Sequence, residues 1–344
     1  MLMNMQAFMI GVATAFFAIF SVHILYFRLE RTRYQTVLGV VMAVWALWMG
    51  KDVIMTFPGM YTEDVLNWIM LIDGWSAIAY VVLIMEATRP GWTTRWRLLC
   101  LALPFAAFTL AYALWPRQGL IYAYVVYLWF FGWTVVVVAW VHVKRYIRFV
   151  SNNYSNIDGI DVSWLRPVFV FAIVSQLTWL FTSLYASATA DVIYYVLTIA
   201  VWLAVLYYSW NFRPVIIDME EKEMAKSVCY EVSPVDEMGL KRAIEDEQIF
   251  LDPDLTLATL AKAVGTNRTY MSNWLSDVQG QTFYNYVNRL RVERASIPLM
   301  NEHPEYTMDY IAEKSGFGSV STFRRAFQKF TGQTPQTYKA NSCK

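Results

Sequence analysis

Seven apolar stretches in the first 211 residues constrain the fold more than any other feature of the chain. A helix needs roughly 20 apolar residues to cross the hydrocarbon core of a bilayer. The stretches have about this length, and they cover about residues 6–27, 36–57, 65–87, 98–115, 119–142, 167–187 and 192–211. Only 16% of all residues are charged, against about 25% in ordinary soluble domains. The sequence therefore predicts a bundle of seven transmembrane helices.

Basic side chains between these stretches predict how the helices are oriented. Loops on the cytoplasmic side of a membrane carry an excess of Lys and Arg. Alternate loops of this chain are basic, and the intervening ones contain only Arg117. The basic loops contain Arg28, Arg31, Arg33, Arg89, Arg95, Arg97, Lys144, Arg145, Arg148 and Arg166. The pattern predicts a multi-pass protein in the lipid bilayer of the inner (cytoplasmic) membrane, with its N-terminus outside and its C-terminal region in the cytoplasm.

Three ionisable residues inside the predicted spans form a candidate intramembrane polar site. Lys51 and Asp52 lie in the second span and Asp73 lies in the third. At a rise of about 1.5 Å per residue, Lys51 is about 9 Å and Asp73 about 12 Å below the same surface. Charges inside a bilayer are costly, so they pair or serve a function. Two interpretations stay open: a structural ion pair between Lys51 and Asp73, or a polar pocket open to the outer face, with Asp52 as a carboxylate for a ligand.

Motifs of enzymes and of metal or cofactor sites are not found in the sequence. It contains no HExxH, no GxSxG, no Gly-rich phosphate loop and no paired carboxylates with a plausible base. Cys100, Cys229 and Cys343 have neither CxxC nor metal-ligand spacing. We therefore predict no catalytic activity, no metal and no cofactor. A transporter has no defining short motif and stays an alternative for the apolar region, although no inverted repeat is obvious.

Residues 212–237 are predicted to be a linker. They leave the last apolar stretch through Arg213 and Pro214 and continue with mixed charge. The segment 216–226 has helical composition, with apolar side chains along one stripe. It predicts either a short helix that pairs two copies into a homodimer or a solvated spacer, because the apolar seam is far shorter than three heptads.

The C-terminal region, residues 238–344, contains one helical pattern twice. The first copy, residues 257–275, has a short apolar helix, a glycine suited to a turn with positive φ, and a second helix for which Asn267 is a good N-cap. The second copy places Ile311, Ala312, Gly316, Phe323 and Phe327 where the first has Leu260, Ala261, Gly265, Met271 and Leu275. Such a repeat is stronger evidence than a single match. It predicts two helix-turn-helix units, whose second helices enter the major groove of DNA.

An amphipathic helix over residues 283–296 is predicted to join the two units. Pro298 follows directly after it. A proline in a helix interior costs about 3 kcal/mol. We therefore expect the connecting helix to end or kink near Ile297.

The sequence from Gly316 to Lys339, GFGSVSTFRRAFQKFTGQTPQTYK, closely resembles the C-terminal signature of the AraC/XylS family of transcription regulators. The segments LAKAVG, NRLRVERA and IAEKS precede it in the order of that family. The resemblance covers about residues 239–344. It implies two helix-turn-helix units on one connecting helix, binding to two successive major-groove segments of promoter DNA, and contact with RNA polymerase. The whole chain is similar to membrane-embedded relatives of the family.

Carried over position by position, the resemblance implies specific DNA contacts. The base-reading residues it implies are Thr269, Ser272, Asn273, Val320, Ser321 and Arg325. The phosphate-contacting residues it implies are Arg268, Arg324 and Lys329. An arginine such as Arg325 can bind guanine through two hydrogen bonds, worth about 1–3 kcal/mol of discrimination. Asn273 stands where the family commonly has arginine, so the first unit is expected to read adenine or to contribute little.

These observations predict an all-α protein with a transmembrane sensor or anchor domain (residues 1–211), a linker (212–237) and an AraC-type DNA-binding domain (238–344). The expected function is that of a membrane-integrated one-component transcription regulator. Its signal would be an unknown small molecule or a membrane protein. The alternatives are a membrane domain that transports a solute and gates the DNA-binding tail, or one that docks a partner and merely anchors that tail. A weaker alternative makes the C-terminal domain a protein-interaction module.

Overall fold

The computed structural model describes residues 2–57, 59–60, 62–170, 173–174, 177, 188–215 and 235–342. These residues form helices, turns and loops but no β-strand, so the prediction of an all-α fold is confirmed for them. The chain divides into two units. The apolar unit comprises Met1–Lys144 and Val162–Val215, and the C-terminal unit comprises Arg145–Asp161 and Ile216–Lys344.

The division between the units differs at one point from the predicted domains. The segment Arg145–Asp161 lies between two apolar stretches in the sequence, yet it belongs to the C-terminal unit. The backbone of Tyr154 forms an isolated antiparallel bridge with Thr256. The N–H of Ser155 donates to the carbonyl of Leu255 at 3.2 Å. This segment is therefore packed as part of the C-terminal fold.

Seven helices with described bounds lie wholly or largely in the apolar unit, and residues 165–170 are also helical. They are α1 (Leu2–Val22), α2 (Arg33–Lys51), α3 (Glu63–Gly74), α4 (Ser76–Thr88), α5 (Arg95–Leu114), α6 (Gln118–Asn153) and α7 (Ala188–Ser209). A π-helical turn over His23–Phe27 follows α1, and a 3₁₀ turn over Asp52–Thr56 follows α2. Threonine N-caps begin α2, α3 and α5: the hydroxyls of Thr32, Thr62 and Thr94 accept backbone N–H groups of the first turn.

Among the described residues, six helical stretches are long and apolar enough to cross a membrane. They are Met5–Phe27, Arg33–Ile54, Glu63–Thr88, Arg95–Leu114, Gln118–Asn153 and Asp191–Ser209. They correspond to six of the seven predicted spans. The remaining predicted span, 167–187, lies largely outside the described residues. Residues 216–234 of the predicted linker lie outside them as well.

The third candidate span is interrupted between α3 and α4. Tyr124 of α6 donates its hydroxyl hydrogen to the carbonyl of Leu71 at 2.9 Å. The N–H of Trp75 bonds instead to the carbonyl of Ile72 at 3.1 Å. A Cβ at position 74 would overlap the Tyr124 hydroxyl, so the close approach requires Gly74. A side chain inserted into the helical ladder in this way breaks the regular helix.

Aromatic side chains fill part of the core of the apolar unit. The ring of Phe17 (α1) stacks on Trp45 (α2) with 5.5 Å between centroids and meets Trp202 (α7) edge-on at 5.6 Å. Tyr80 (α4) contacts both tryptophans. Phe17, Trp45 and Trp202 are each at most 2% exposed. This cluster joins four helices.

The helix α6 is longer than the span predicted from hydropathy. Its 36 residues correspond to about 54 Å at a rise of 1.5 Å per residue, against about 30 Å for a hydrocarbon core. The prediction ended the span at residue 142, just before the basic residues begin. The helix continues to Asn153 because Tyr146, Val150 and Asn153 form a buried stripe at helical spacing.

Eight α-helices of the C-terminal unit are described after residue 234. They are α8 (Glu237–Glu245), α9 (Leu257–Ala263), α10 (Arg268–Asn273), α11 (Phe283–Arg291), α12 (Ile297–Glu302), α13 (Met308–Lys314), α14 (Val320–Thr331) and α15 (Pro335–Ser342). Two separate cores hold them. One surrounds Leu260, Met271 and Phe283, and the other surrounds Ile311, Phe323 and Phe327.

The connecting helix contributes to both cores and changes geometry before its proline. Leu290 belongs to the first core and Val292 to the second. Regular α-helix ends at Arg291, a π-helical turn covers Val292–Ser296, and α12 then begins at Ile297 with Pro298 in its first turn. The regular α-helix is thus interrupted close to the predicted position, but the chain stays helical to Glu302. Proline is tolerated there because the N–H groups of a first turn need no intrahelical acceptor.

Candidate nucleic-acid interface

The first helix-turn-helix unit consists of α9, a tight turn and α10. Gly265 in the turn has φ 76°, and the side chain of Asn267 accepts the N–H of Tyr270 at 2.9 Å, which confirms the predicted turn and N-cap. Leu257, Leu260 and Met271 are at most 2% exposed and hold the two helices together. The opposite face of α10 is left to solvent.

The second unit repeats this construction with α13 and α14. Gly316 in its turn has φ 82°. The side chain of Ser319 caps α14 by accepting the N–H of Thr322 at 3.2 Å. Ile311, Phe323 and Phe327 are fully buried, as the repeat in the sequence predicts for core positions. Two equivalent second helices, α10 and α14, are therefore available as recognition helices.

The side chains assigned to base reading lie on the outer faces of these two helices. Thr269 and Asn273 on α10 are exposed, and Ser272 between them is partly exposed. On α14, Ser321 and Arg325 are exposed and Val320 is partly exposed. The three residues assigned to phosphates are also accessible, with Arg324 and Lys329 exposed and Arg268 partly exposed.

Arg325 takes part in a small polar network at the start of α14. Its Nη2 donates to the Oγ1 of Thr322 at 3.2 Å and lies 3.9 Å from the Oδ1 of Asp158. Thr322 donates its own hydroxyl hydrogen to that oxygen of Asp158 at 2.8 Å. Burial raises the pKa of Tyr284, which lies in the field of Arg325 and Asp158. The carboxylate that meets Arg325 belongs to the segment 145–161.

Two of the assigned phosphate contacts also have partners within the C-terminal unit. The Nζ of Lys329 donates to the Oδ1 of Asn285 on α11 at 2.7 Å. The Nε of Arg268 donates to the Oδ1 of Asn153 at 2.8 Å, and its guanidinium lies 5.6 Å from the ring centre of Phe149. Arg268, like Arg325, is thus held by a residue from the segment 145–161.

Arg291 fixes this segment to the connecting helix. Its guanidinium is fully buried, and each of its five N–H groups has an acceptor. The acceptors are the carbonyls of Phe250, Asp252 and Ser155, the Oγ of Ser155 and the Oδ1 of Asn288, at 2.7–3.4 Å. Burial lowers the pKa of Arg291 to about 10, so the group stays protonated at neutral pH.

Sequence reasoning did not find Asn153, Ser155, Asn156 or Asp158 as functional candidates. The run SNNYSNIDGID, residues 151–161, is richer in Asn, Ser and Asp than a short connection between two spans requires. Such residues favour turns and caps because their side chains bond to nearby backbone. That composition was the available signal, but their contacts in the C-terminal unit involve residues more than 100 positions away.

The polar residues predicted inside the membrane are brought together in the apolar unit. The Nζ of Lys51 lies 2.7 Å from the Oδ1 of Asp73 and also contacts the carboxylate of Asp52. The hydroxyl of Tyr195 donates to the Oδ2 of Asp52 at 3.0 Å. The side chains of the three charged residues are 15–21% exposed. Asp52 is therefore engaged by Lys51 and Tyr195.

A cavity of about 210 Å³ lies beside this cluster. Its lining includes Trp45, Trp48, Asp73, Tyr80, Tyr194 and Trp202. Asp73 is the single carboxylate among the lining residues that the structure describes. The indole N–H of Trp45 is buried and has no hydrogen-bond acceptor among the described residues. An apolar cavity of about 150 Å³ is enough to bind benzene, so this one has room for a small aromatic or amphipathic molecule.

Comparison with known proteins locates similarity in the C-terminal unit. Residues 260–341 match the model of a helix-turn-helix domain family. An uncharacterised HTH-type transcriptional regulator of Staphylococcus aureus strain COL is 31% identical over 94 residues, which are 27% of this chain and 12% of that protein. The uncharacterised HTH-type transcriptional regulator YobQ of Bacillus subtilis strain 168 is 34% identical over 85 residues, which are 25% of this chain and 34% of that protein. No solved structure matches the chain significantly.

These similarities identify the C-terminal region as a helix-turn-helix domain of the AraC type, as its sequence predicts. The chain spans well under half the length of the curated relatives just named. The family model begins at residue 260. It therefore does not cover the apolar unit.

Proposed function

We propose that this protein is a membrane-integrated one-component transcription regulator. The observation that carries the proposal is the pair of recognition helices, α10 and α14, with polar side chains on their outer faces. Side chains such as Arg325 and Asn273 can bond to base edges, and Arg324 can neutralise a phosphate. The protein binds promoter DNA through these helices, and contact with RNA polymerase and formation of a homodimer belong to the same proposal.

The apolar unit inserts into the inner membrane as a multi-pass bundle. Six helices of sufficient length and hydropathy support insertion. The basic residues in alternate loops support an N-terminus outside the cell and a cytoplasmic C-terminal unit, where DNA is accessible. A fluorescent protein fused after Lys344 should fold and fluoresce in intact cells, because its position would be cytoplasmic. A periplasmic phosphatase fused at the same position should be inactive. The reverse result would exclude this orientation.

The cavity beside Lys51, Asp52 and Asp73 is the proposed site of signal sensing. Its aromatic walls fit the apolar body of an amphipathic ligand. No catalysis is required. A ligand that binds one conformation of the bundle better than another shifts the equilibrium between them.

Mapping of chromosomal sites tests the regulator function directly. The full-length protein is cross-linked to DNA in its native membrane, and its bound sites are compared with those of an Arg325→Ala variant. We expect a small set of promoters that is lost or weakened in the variant. Sites that do not respond to Arg325→Ala would refute base reading by α14, and normal function without any DNA binding would favour a protein-interaction module.

Replacement of the apolar unit separates sensing from anchoring. A chimaera that carries an unrelated membrane anchor before Arg145, keeps residues 145–161 and joins Asp161 to residue 216 through a flexible linker should bind the same promoters but should no longer respond to the signal. A chimaera that still responds would show that a partner protein senses the signal. Uptake of labelled solutes into vesicles that contain the full-length protein would instead indicate a transporter.

A further inference from the structure

The tip of the segment 145–161 lies against the recognition helix α14. Asp158 accepts the hydroxyl hydrogen of Thr322 at 2.8 Å, and its Oδ1 lies 3.9 Å from the Nη2 of Arg325. The side chain of Asn156 is packed so closely on Gly318 that any Cβ at position 318 would overlap its amide. A carboxylate and an amide therefore cover the start of α14 and the turn before it.

The same segment also contacts the first recognition helix. Asn153 accepts a hydrogen bond from the Nε of Arg268, the first residue of α10, at 2.8 Å. Phe149 presents its ring to the same guanidinium at 5.6 Å. One short piece of chain thus occupies hydrogen-bond donors on both recognition helices.

These donors are the kind that bind DNA. Arginine and threonine side chains supply many contacts to phosphate oxygens, and arginine also reads guanine. The carboxylate of Asp158 is an anionic oxygen acceptor, as a phosphate group is. It accepts a hydrogen bond from Thr322 and lies close to Arg325, so an acceptor on DNA cannot use the same donors in the same geometry. Removal of the Asp158 carboxylate would leave the Thr322 hydroxyl and the Nη2 of Arg325 free to bond to another acceptor.

We propose that residues 149–161 of the segment 145–161 are a built-in inhibitor that competes with DNA for the two recognition helices. Asp158 takes the place of an oxygen acceptor on DNA at Thr322 and Arg325, and Asn153 accepts a hydrogen bond from Arg268. This inference rests on the proposed function, because it requires that α10 and α14 bind DNA. The inference adds a means of regulating the DNA-binding faces of α10 and α14. The regulating segment lies between two predicted membrane spans in the sequence.

The two ends of the segment differ in how firmly they are packed. Its base is buried: Ser155 is fully buried and bonds to Arg291 and Asn288. Its tip is open to solvent, with a turn in which Gly159 has φ 77° and the N–H of Asp158 bonds to Asn156 at 3.0 Å. The side chain of Asp158 is 32% exposed. The tip can therefore leave α14 without unfolding of the base.

Binding of duplex DNA by the full-length protein in lipid nanodiscs tests the competition. The probe is a labelled mixed-sequence duplex of about 30 base pairs at low salt, long enough for two successive major-groove segments. Asp158→Asn should raise the affinity about threefold to tenfold, as expected from loss of one charge-assisted hydrogen bond and one exposed ion pair. Asp246→Asn removes the same charge from an exposed site at the end of α8 and controls for general electrostatics.

The outcomes separate the inhibitor from the DNA-binding function. An equal rise in both variants, or no rise in Asp158→Asn, would overturn the inhibitory role while DNA binding stands. Absence of binding in the wild type and in every variant would overturn DNA binding and the inhibitor with it. A fall in affinity for Asp158→Asn would show that the segment supports the DNA-binding surface instead of blocking it.

A disulfide can lock the tip in place and provides a second test. A Cβ introduced at position 318 would stand 2.9 Å from the Cγ of Asn156, so the Cβ atoms of an Asn156→Cys/Gly318→Cys pair fall within disulfide range. We expect the oxidised double variant to lose DNA binding and to regain it on reduction, with the oxidised Asn156→Cys single variant as a control. Unchanged binding by a fully oxidised sample would overturn the proposal.

Discussion

The ammonium group of Lys51 lies 2.7 Å from the carboxylate of Asp73 and so joins helix α2 to helix α3. Both side chains are about four-fifths buried. A charge buried in this way is tolerated when it is paired, and loss of one partner leaves the other uncompensated. The pair is therefore expected to stabilise the apolar unit, whether or not it also serves a ligand.

Substitution of Lys51 should destabilise the apolar unit more than substitution of Asp73. Lys51→Met leaves Asp52 and Asp73 without their shared cation and should cost about 2–4 kcal/mol, whereas Asp73→Asn leaves Lys51 paired with Asp52 and should cost less. The double variant Lys51→Met/Asp73→Asn should recover part of the loss. Thermal unfolding of the purified protein in detergent measures all three. Equal stability of Lys51→Met and the wild type would show that the pair has no structural role.

The helix break at Gly74 gives a prediction about packing. Gly74→Ala places a methyl group on the Tyr124 hydroxyl and should destabilise the apolar unit by about 1–3 kcal/mol. Adding Tyr124→Phe removes the overlapping oxygen and should restore part of that stability. Gly11→Ala in α1 is the matched control, because nothing lies within 4 Å of its Cβ position. A neutral Gly74→Ala would mean that α3 and α4 can straighten into one helix.

The two turn glycines are equivalent in the repeat but not in their surroundings. Gly265 and Gly316 both have positive φ, so alanine at either position strains the backbone by about 1 kcal/mol or somewhat more. Only at Gly316 would the new Cβ also meet backbone, at 2.5 Å from the carbonyl oxygen of Leu251. Gly316→Ala should therefore destabilise the C-terminal unit more than Gly265→Ala in urea unfolding followed by amide hydrogen exchange of the C-terminal unit. Equal costs would refute the close approach to Leu251.

Arg291 should be the costliest arginine to replace in the C-terminal unit. Arg291→Met leaves buried acceptors at Phe250, Asp252 and Ser155 without donors and should destabilise the unit by roughly 2–5 kcal/mol. Arg294→Met, one turn farther on, breaks only an exposed contact to Glu245 and should cost less than about 1 kcal/mol. Limited proteolysis and urea unfolding distinguish the two, and similar stability of both variants would contradict the buried network.

Salt dependence should separate phosphate contacts from base reading. Arg324→Ala should weaken binding to all DNA sequences and reduce the slope of log K against log salt by about 1. Arg325→Ala should cost about 1–3 kcal/mol at its own promoters and relax the preference at one base pair. Titrations at several salt concentrations, with a bound promoter and a scrambled duplex, measure both effects. A sequence-independent loss for Arg325→Ala would assign it to a phosphate.

Local patterns along the chain predict most of the helices correctly. Hydropathy identifies six helical stretches that the structure describes, one of which is interrupted between α3 and α4. The repeat of Leu260 and Gly265 as Ile311 and Gly316 predicts both helix-turn-helix units. Such features depend on residues close in sequence, because a helix buries side chains three and four positions apart. The contact residues that the resemblance implies lie on α10 and α14, where their side chains are exposed or, at Arg268, Ser272 and Val320, partly exposed. Their DNA contacts stay predictions.

The sequence by itself determined the all-α fold of the described residues, the positions of the turn glycines and the separation of an apolar unit from a C-terminal helix-turn-helix unit. The tertiary structure alone decided which partners distant residues take: Asp158 meets Thr322, Ser155 meets Arg291 and Tyr124 enters the helix at Gly74. Helix periodicity and turn chemistry leave a signal in a single sequence because each depends on residues that are close together along the chain. Contacts such as Asp158 with Thr322 arise only when packing brings remote segments together, and no local pattern records them.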